Sequence, residues 1–423
     1  MDREEQVEKF GQLIQKAVLE DPVKARKILI NACRIQQAGS VLPSSKVSPS
    51  HRYASRQITS TMVDALSSPE KSAMVSIFIP SEPLNVAGIT PFSVEALSGF
   101  LGGVHAEQVF LDAAEEDGAS KTLCSFHRIF HGAMGSGVVP NPKMLIYTNL
   151  ACDANMTSFP YLINRFKIPS FFVEVPYERS EDAVQHVAGQ LREMVTFISD
   201  VSGKKITDNM LQEAMQRSHR TSEYYLEHLK YQADHAMKSD IASELYAVFT
   251  GHIMMGTKKA ETYARRMLSD IKKAKGNDAI RLVWLHMIPF LQPSANKYLS
   301  FTDRARIVAC DLVYDSMMHI DPTNPYEAMA HRMVYSCYNG DYKLRAQRAQ
   351  QVAEQTKADG IVVFAHWGCK GTLGASALFK RDFEEAGYPT LILDGDGGDP
   401  ANCSDGQMAT RFGAYLEMLE DRR

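Results

Sequence analysis

Residues 360–396 read GIVVFAHWGCKGTLGASALFKRDFEEAGYPTLILDGD, and this stretch decides the fold. "GIVVFA" is a continuous apolar run with the length of a strand buried on both faces. "SALFKRDFEEAG" has helical spacing and closes on a glycine. "PTLILDGD" is a second apolar run that ends in turn residues. Strand, helix and strand in this order make a βαβ unit, which calls for a parallel sheet. At the turn between the first strand and the helix stands Cys369, with Gly368 and Gly371 close on either side. A core does not need a cysteine there; a metal or a nucleophilic reaction would use one.

The same alternation continues outward. In the C-terminal half, "IRLVWLHMIP" and "ARIVACDLV" are further strands, and "DGQMATRFGAYLEMLED" is a closing helix. Nearer the N-terminus, "MVSIFIP", "MLIYTNLACD" and "PSFFVEVP" are strands separated by helical patterns, and residues 181–200 carry Val184, Val187, Leu191 and Met194 on one stripe. Residues 204–275 hold three helical patterns with no strand between them. Residues 1–37 are helical, with Val7, Phe10, Ile14 and Val18 at helical spacing, and residues 38–60, rich in Ser and Pro, have the composition of a linker or extended arm. The reading is α/β: N-terminal helices and linker arm (1–70), a first doubly wound, mainly parallel domain (71–203), a helical connecting segment (204–275) and a second such domain (276–423).

Composition narrows the function classes. The 423 residues are 45% hydrophobic and 23% charged, with a formal net charge of −4, which provides no basic field for nucleic acid. No apolar run approaches the roughly 20 residues that cross a membrane. The charged, amphipathic start "MDREEQVEKFGQLIQKAVLE" lacks the pattern of a signal peptide, so a cytoplasmic protein is expected. There is no GxxxxGK[ST], so ATP hydrolysis through a P-loop is not expected of this chain.

Seven cysteines stand at 33, 124, 152, 310, 337, 369 and 403, without close pairs. That argues against a disulfide framework and against zinc ribbons. Cys152, Cys310 and Cys369 fall at the carboxyl ends of expected strands, and Cys124 at the start of an expected helix, "KTLCSFHRIFHGAMG". Ligands of open α/β sheets bind beyond strand carboxyl ends, and helix starts favour thiolates. Three or four of these sulfurs, converging between the halves, would suit an iron–sulfur cluster; the plain alternative is that each is a small buried hydrophobe. Cys33 and Cys337 lie on apolar helical stripes and read as core. His127 and His131 share a helix face but lack a third ligand for zinc. "LDGDGGDP" (393–400) reads as a strand-end turn whose aspartates bond backbone N–H groups rather than a calcium loop.

Five stretches occur in an order that resembles the 2-hydroxyacyl-CoA dehydratase family, which also contains the benzoyl-CoA reductase subunits. They are "FIPSEPLNVAGITP" (78–91), "LCSFHR" (123–128), "TNLACDANM" (148–156), "HWGCK" (366–370) and "LILDGD…SDGQMATRFGAYLEML" (391–419). The resemblance implies two Rossmann-like domains and one [4Fe–4S] cluster held by Cys124, Cys152 and Cys369, with Cys310 open as a fourth ligand. Three protein ligands would leave one iron free for chemistry. It implies a related second subunit and a separate ATP-dependent iron–sulfur activator that injects one electron. It also implies an acyl-CoA substrate that loses its 2-hydroxyl through a ketyl radical to give the 2-enoyl-CoA. Within the same family stand a benzoyl-CoA reductase-type subunit and a homodimeric activator-driven reductase; a non-catalytic cluster-bearing partner subunit is the reading from another class. Ser81, Glu82 and Glu95 are the candidate acid or base groups, against a helix cap and surface glutamates. His366, Gly368 and Lys370 are the expected neighbours of the cluster, the glycine allowing close backbone approach.

Overall fold

The structure, a computed structural model, describes residues 3–42, 44, 46–237 and 239–423. Residues 1, 2, 43 and 45 of the expected arm and residue 238 of the expected helical segment lie outside the described residues.

Eight strands form two four-stranded sheets. The first holds β1 (Ser72–Val75), β2 (Thr90–Ser93), β3 (Met144–Thr148) and β4 (Ser170–Val173); the second holds β5 (Ile280–Leu285), β6 (Ala305–Cys310), β7 (Gly360–His366) and β8 (Thr390–Gly395). Their spatial orders are β2-β1-β3-β4 and β6-β5-β7-β8, and every pairing is parallel. The two halves therefore repeat one topology, although no repeat is visible in the sequence. β7 is buried along its whole length, as its unbroken apolar run requires. "MVSIFIP" leaves the sheet sooner than expected: after Val75 the chain turns, with Ile79 N–H bonded to the Ser76 carbonyl.

In each half the order reverses beside the first strand, so loops after the inner strands open into one crevice. The first sheet buries alternate residues on opposite faces. Ala73, Val75 and Ile146 join the larger core, which spans both halves; Met74, Phe92 and Leu145 pack beneath the N-terminal helices with Ile14, Leu29 and Cys33.

The expected linker is in large part a helix, Pro49–Ser67. Ser48 caps it by accepting the His51 N–H, and Pro49 occupies the first turn, where its missing N–H costs nothing. Ser and Pro here start a helix rather than loosen the chain. Ala54, Met62, Ala65 and Leu66 are buried on it, and Ser50 N–H bonds Asp270 of the helical segment. That segment is built from helices Asp208–Tyr231, Ile241–His252 and Lys258–Lys273, as its patterns imply.

Candidate metal centre between the two halves

Cys124 is the residue before helix Ser125–Gly135, its backbone still extended. Cys152 lies in the loop after β3, just past Ala151, which has a positive φ of 66°. Cys369 precedes the short helix Lys370–Leu373 in the loop after β7. Two halves of the chain thus bring three sulfurs to one cavity of about 890 Å³, whose wall includes all three cysteines. The loops touch at Gly368: a β-carbon there would stand 2.7 Å from Cys124 Cα and 2.8 Å from its backbone N. With φ of +81° as well, this position requires glycine.

Around the crevice the halves are tied by polar contacts. Ser125 donates to Asp396, and the Arg128 guanidinium reaches Asp399 Oδ2 at 2.6 Å and Glu115 Oε1 at 2.8 Å. Asp396 accepts the N–H groups of Gly398 and Asp399, so "LDGDGGDP" is the strand-end turn its composition implies.

All three thiols are free. Burial, then the charges of Cys152 and Cys369, push the Cys124 thiol well above its ordinary pKa. Burial, with Glu95 and Cys369, does the same to Cys152. To act as thiolate ligands at such a site, these sulfurs would need a cation to balance their charge. Ligands of one zinc ion lie about 4 Å apart, given Zn–S distances of about 2.3 Å. Among the described residues the only His, Cys, Asp or Glu set with ligand atoms all within 4.8 Å is His219, Glu223 and His319, on the surface and away from the cavity wall. The three sulfurs do not all lie within that distance of one another, so the set does not match the ligands of one zinc ion. The donor set fits iron–sulfur ligation.

Each sulfur has a polar neighbour. His366 Nε2 is 3.3 Å from Cys124 Sγ, His127 Nε2 is 3.6 Å from Cys152 Sγ, and Thr372 Oγ1 is 3.7 Å from Cys369 Sγ. His127 stands one helical turn after Cys124, the spacing that could have flagged it; His131 instead stacks on Tyr161. Thr372 gave no sequence signal. Lys370 is exposed at the cavity wall beside Cys369.

The candidate acid and base residues separate. Glu95 lines the cavity; its Oε2 is buried without a partner, and burial pushes its carboxyl up to about 7. Ser81 and Glu82 do not line it. Ser81 Oγ donates to the His252 carbonyl at 2.7 Å and makes no cap bond. Glu82 is fully buried, accepting from Ser218 Oγ at 2.8 Å and from Arg332 Nη2 at 2.9 Å, with Arg332 Nη1 ion-paired 2.8 Å from its Oε1. Burial alone would raise the Glu82 carboxyl, but Arg332 and Ser218 overcome it and hold it below the usual range. Cys310 also stands apart, buried outside the cavity wall with Sγ 3.4 Å from the His286 carbonyl.

Aromatic rings, among them Phe78, Phe126, Phe249 and Phe290, also line the cavity, beside polar residues such as Asp117, Thr157 and Asp240. Among the described residues, no helix is long and apolar enough to cross a membrane.

Residues 76–419 match the family described as 2-hydroxyglutaryl-CoA dehydratase, D-component. The chain is similar to the (R)-phenyllactyl-CoA dehydratase alpha subunit of Clostridium sporogenes, 22% identical over 378 residues that cover 83% of this chain and 90% of the relative. It is also similar to a benzoyl-CoA reductase subunit of Thauera aromatica, 23% identical over 353 residues, 73% of this chain and 79% of the relative. The (R)-phenyllactyl-CoA dehydratase beta subunit of Clostridium sporogenes is 28% identical over 244 residues, 53% of this chain and 62% of the relative.

Proposed function

This chain belongs to the 2-hydroxyglutaryl-CoA dehydratase, D-component, family, and on that footing we propose that it is a subunit of an iron–sulfur 2-hydroxyacyl-CoA dehydratase. The enzyme removes water from an (R)-2-hydroxyacyl-CoA to give the 2-enoyl-CoA, in the cytoplasm. Cys124, Cys152 and Cys369 hold a [4Fe–4S] cluster, with Gly368 giving the backbone room and His366 and Lys370 beside it. The observation that carries this reading is the meeting of three free, half-buried cysteines from both halves in the wall of one large cavity. When bound, the cluster supplies one-electron chemistry and an iron with a position open to the substrate. A related second subunit completes the enzyme, and an ATP-dependent iron–sulfur activator provides the electron; similarity to both an alpha and a beta subunit of one relative supports a paired assembly.

The chain's own groups divide the remaining work. The aromatic part of the cavity wall binds the acyl thioester and keeps water from it. Glu95 lines the cavity with its Oε2 unpartnered, and its carboxyl is able to take or return a proton there. Glu82, in this reading, ties the two halves through Arg332, and Ser81 ties the first half to the helical segment; neither meets the substrate.

A second reading is a benzoyl-CoA reductase-type subunit, favoured by the similarity to the Thauera aromatica reductase. Product analysis separates the two. The complex, with activator, ATP and reductant, is given a panel of 2-hydroxyacyl-CoA esters and benzoyl-CoA. Enoyl-CoA without net consumption of electrons is the expected result; a ring-reduced product with stoichiometric electron consumption would replace dehydration with reduction.

A further inference from the structure

We propose that His366, His127 and Thr372 form a ring of hydrogen-bond donors, one to each of Cys124, Cys152 and Cys369, that raises the reduction potential of the iron–sulfur group these sulfurs hold. The proposal rests on the cluster reading above and adds to it the residues that set the group's redox poise.

The direction of each bond follows from what surrounds it. The Gly397 backbone N–H points at His366 Nδ1, at 3.1 Å. A backbone N–H only donates, so Nδ1 carries a lone pair and the ring proton sits on Nε2, facing Cys124 Sγ. His127 Nδ1 is 2.8 Å from the hydroxyl of the fully buried Ser158. Among the described residues that hydroxyl has no other acceptor, so it donates to Nδ1, and the His127 proton lies on Nε2, toward Cys152 Sγ. Thr372 Oγ1 accepts from Arg345 Nη1 at 2.7 Å and, while Cys369 is a thiol, from its S–H at 3.7 Å; once Cys369 ligates as a thiolate that S–H is gone, and the threonine hydroxyl turns its own hydrogen to Sγ. Arg345 is itself fixed by Asp311 Oδ2 at 2.6 Å and polarises the threonine. A thiolate only accepts, and every sulfur in the set meets a donor.

Donors on ligating sulfur draw charge from it and favour the state with the added electron. Loss of a donor therefore lowers the potential, and losses at different sulfurs accumulate. These three are positioning residues: none needs to touch substrate. Their positions come from separate elements, the end of β7, helix Ser125–Gly135 and helix Lys370–Leu373, so one fold fault does not remove them together.

The test is a redox titration of the full chain, purified or reconstituted without oxygen and followed by electron paramagnetic resonance, with iron and acid-labile sulfide measured alongside. Thr372→Val keeps shape and removes only the hydroxyl. It should retain iron and shift the midpoint to more negative potential, and Thr372→Ser should restore it. His366→Leu and His127→Leu should shift it the same way, and Thr372→Val combined with either should shift it further. Iron-loaded variants with the wild-type midpoint would overturn the proposal and leave the cluster reading standing. A wild-type chain that takes up no iron and sulfide would overturn both.

Discussion

At Gly368 the backbone has a positive φ, and any β-carbon would collide with the Cys124 backbone. Replacing it with alanine forces the two loops apart, and since non-glycine residues in this region cost about 1–3 kcal/mol before any clash, Gly368→Ala should lower stability by at least that order and lose the metal group. Thermal melts and iron analysis check this; a variant with wild-type melting and iron content would show that the loops do not need to touch. Glu95→Gln keeps shape and hydrogen bonding but gives up the exchangeable proton. Turnover should fall roughly 10²–10⁴-fold with the cluster intact, the usual range for a lost acid or base. Unchanged turnover would remove Glu95 from the reaction. At this scale the sequence was most legible where a residue type is demanding. A glycine-flanked cysteine after a strand and the strand-end aspartates announce themselves. Ser81 and Glu82 did not, because their partners lie far along the chain: Ser218 and Arg332 are 136 and 250 residues from Glu82.

Helix Pro49–Ser67 and the turn around Ser81 and Glu82 show how elements are joined. Glu82 and Arg332 link the first half to helix Pro325–Val334 through a buried pair, with Ser218 of helix Asp208–Tyr231 as third member. Removing one partner strands a buried charge, so Arg332→Met should cost about 3–5 kcal/mol in denaturant unfolding; a cost below about 1 kcal/mol would mean the pair is dispensable. Close by, His252 Nε2 lies 3.3 Å from Asp315 Oδ1. Burial opposes the charged ring, but the Asp315 carboxylate and the Val248 carbonyl outweigh it and raise the His252 pKa above 6.5. Such a group stabilises the fold fully below its unfolded pKa and loses that contribution as pH rises through the folded value. Asp315→Asn should therefore lower the melting temperature more at about pH 6 than at about pH 8.5; an equal loss at both would show that the ring is neutral in the fold. The strands were readable from their apolar runs. The Pro49 helix was not, because Ser-Pro serves a linker and a helix start equally, and only the buried face of Ala54, Met62 and Leu66 decides between them.

Over the whole molecule, two halves with one strand order face each other across a cavity, and each supplies sulfur: Cys124 and Cys152 from the first, Cys369 from the second. The doubly wound class followed from the alternation of strands and helices, but the repeated topology did not, since it is held in backbone order and not in matching side chains. The site was partly legible for the same reason. Strand ends and helix starts pointed to the cysteines, whereas their separation from Cys310 and the contacts of His127 and Thr372 exist only in the folded chain, and the His366–Cys124 contact only where the halves meet. The proposed function requires those three sulfurs to hold one cluster between them. Iron and acid-labile sulfide in anaerobically purified chain measure it most directly. Wild type and Cys33→Ala should each carry close to four of both per chain, with a brown colour, as a [4Fe–4S] group requires, while Cys369→Ala should carry almost none. Apo wild-type chain that resists reconstitution, or Cys369→Ala with a full complement of iron, would contradict it.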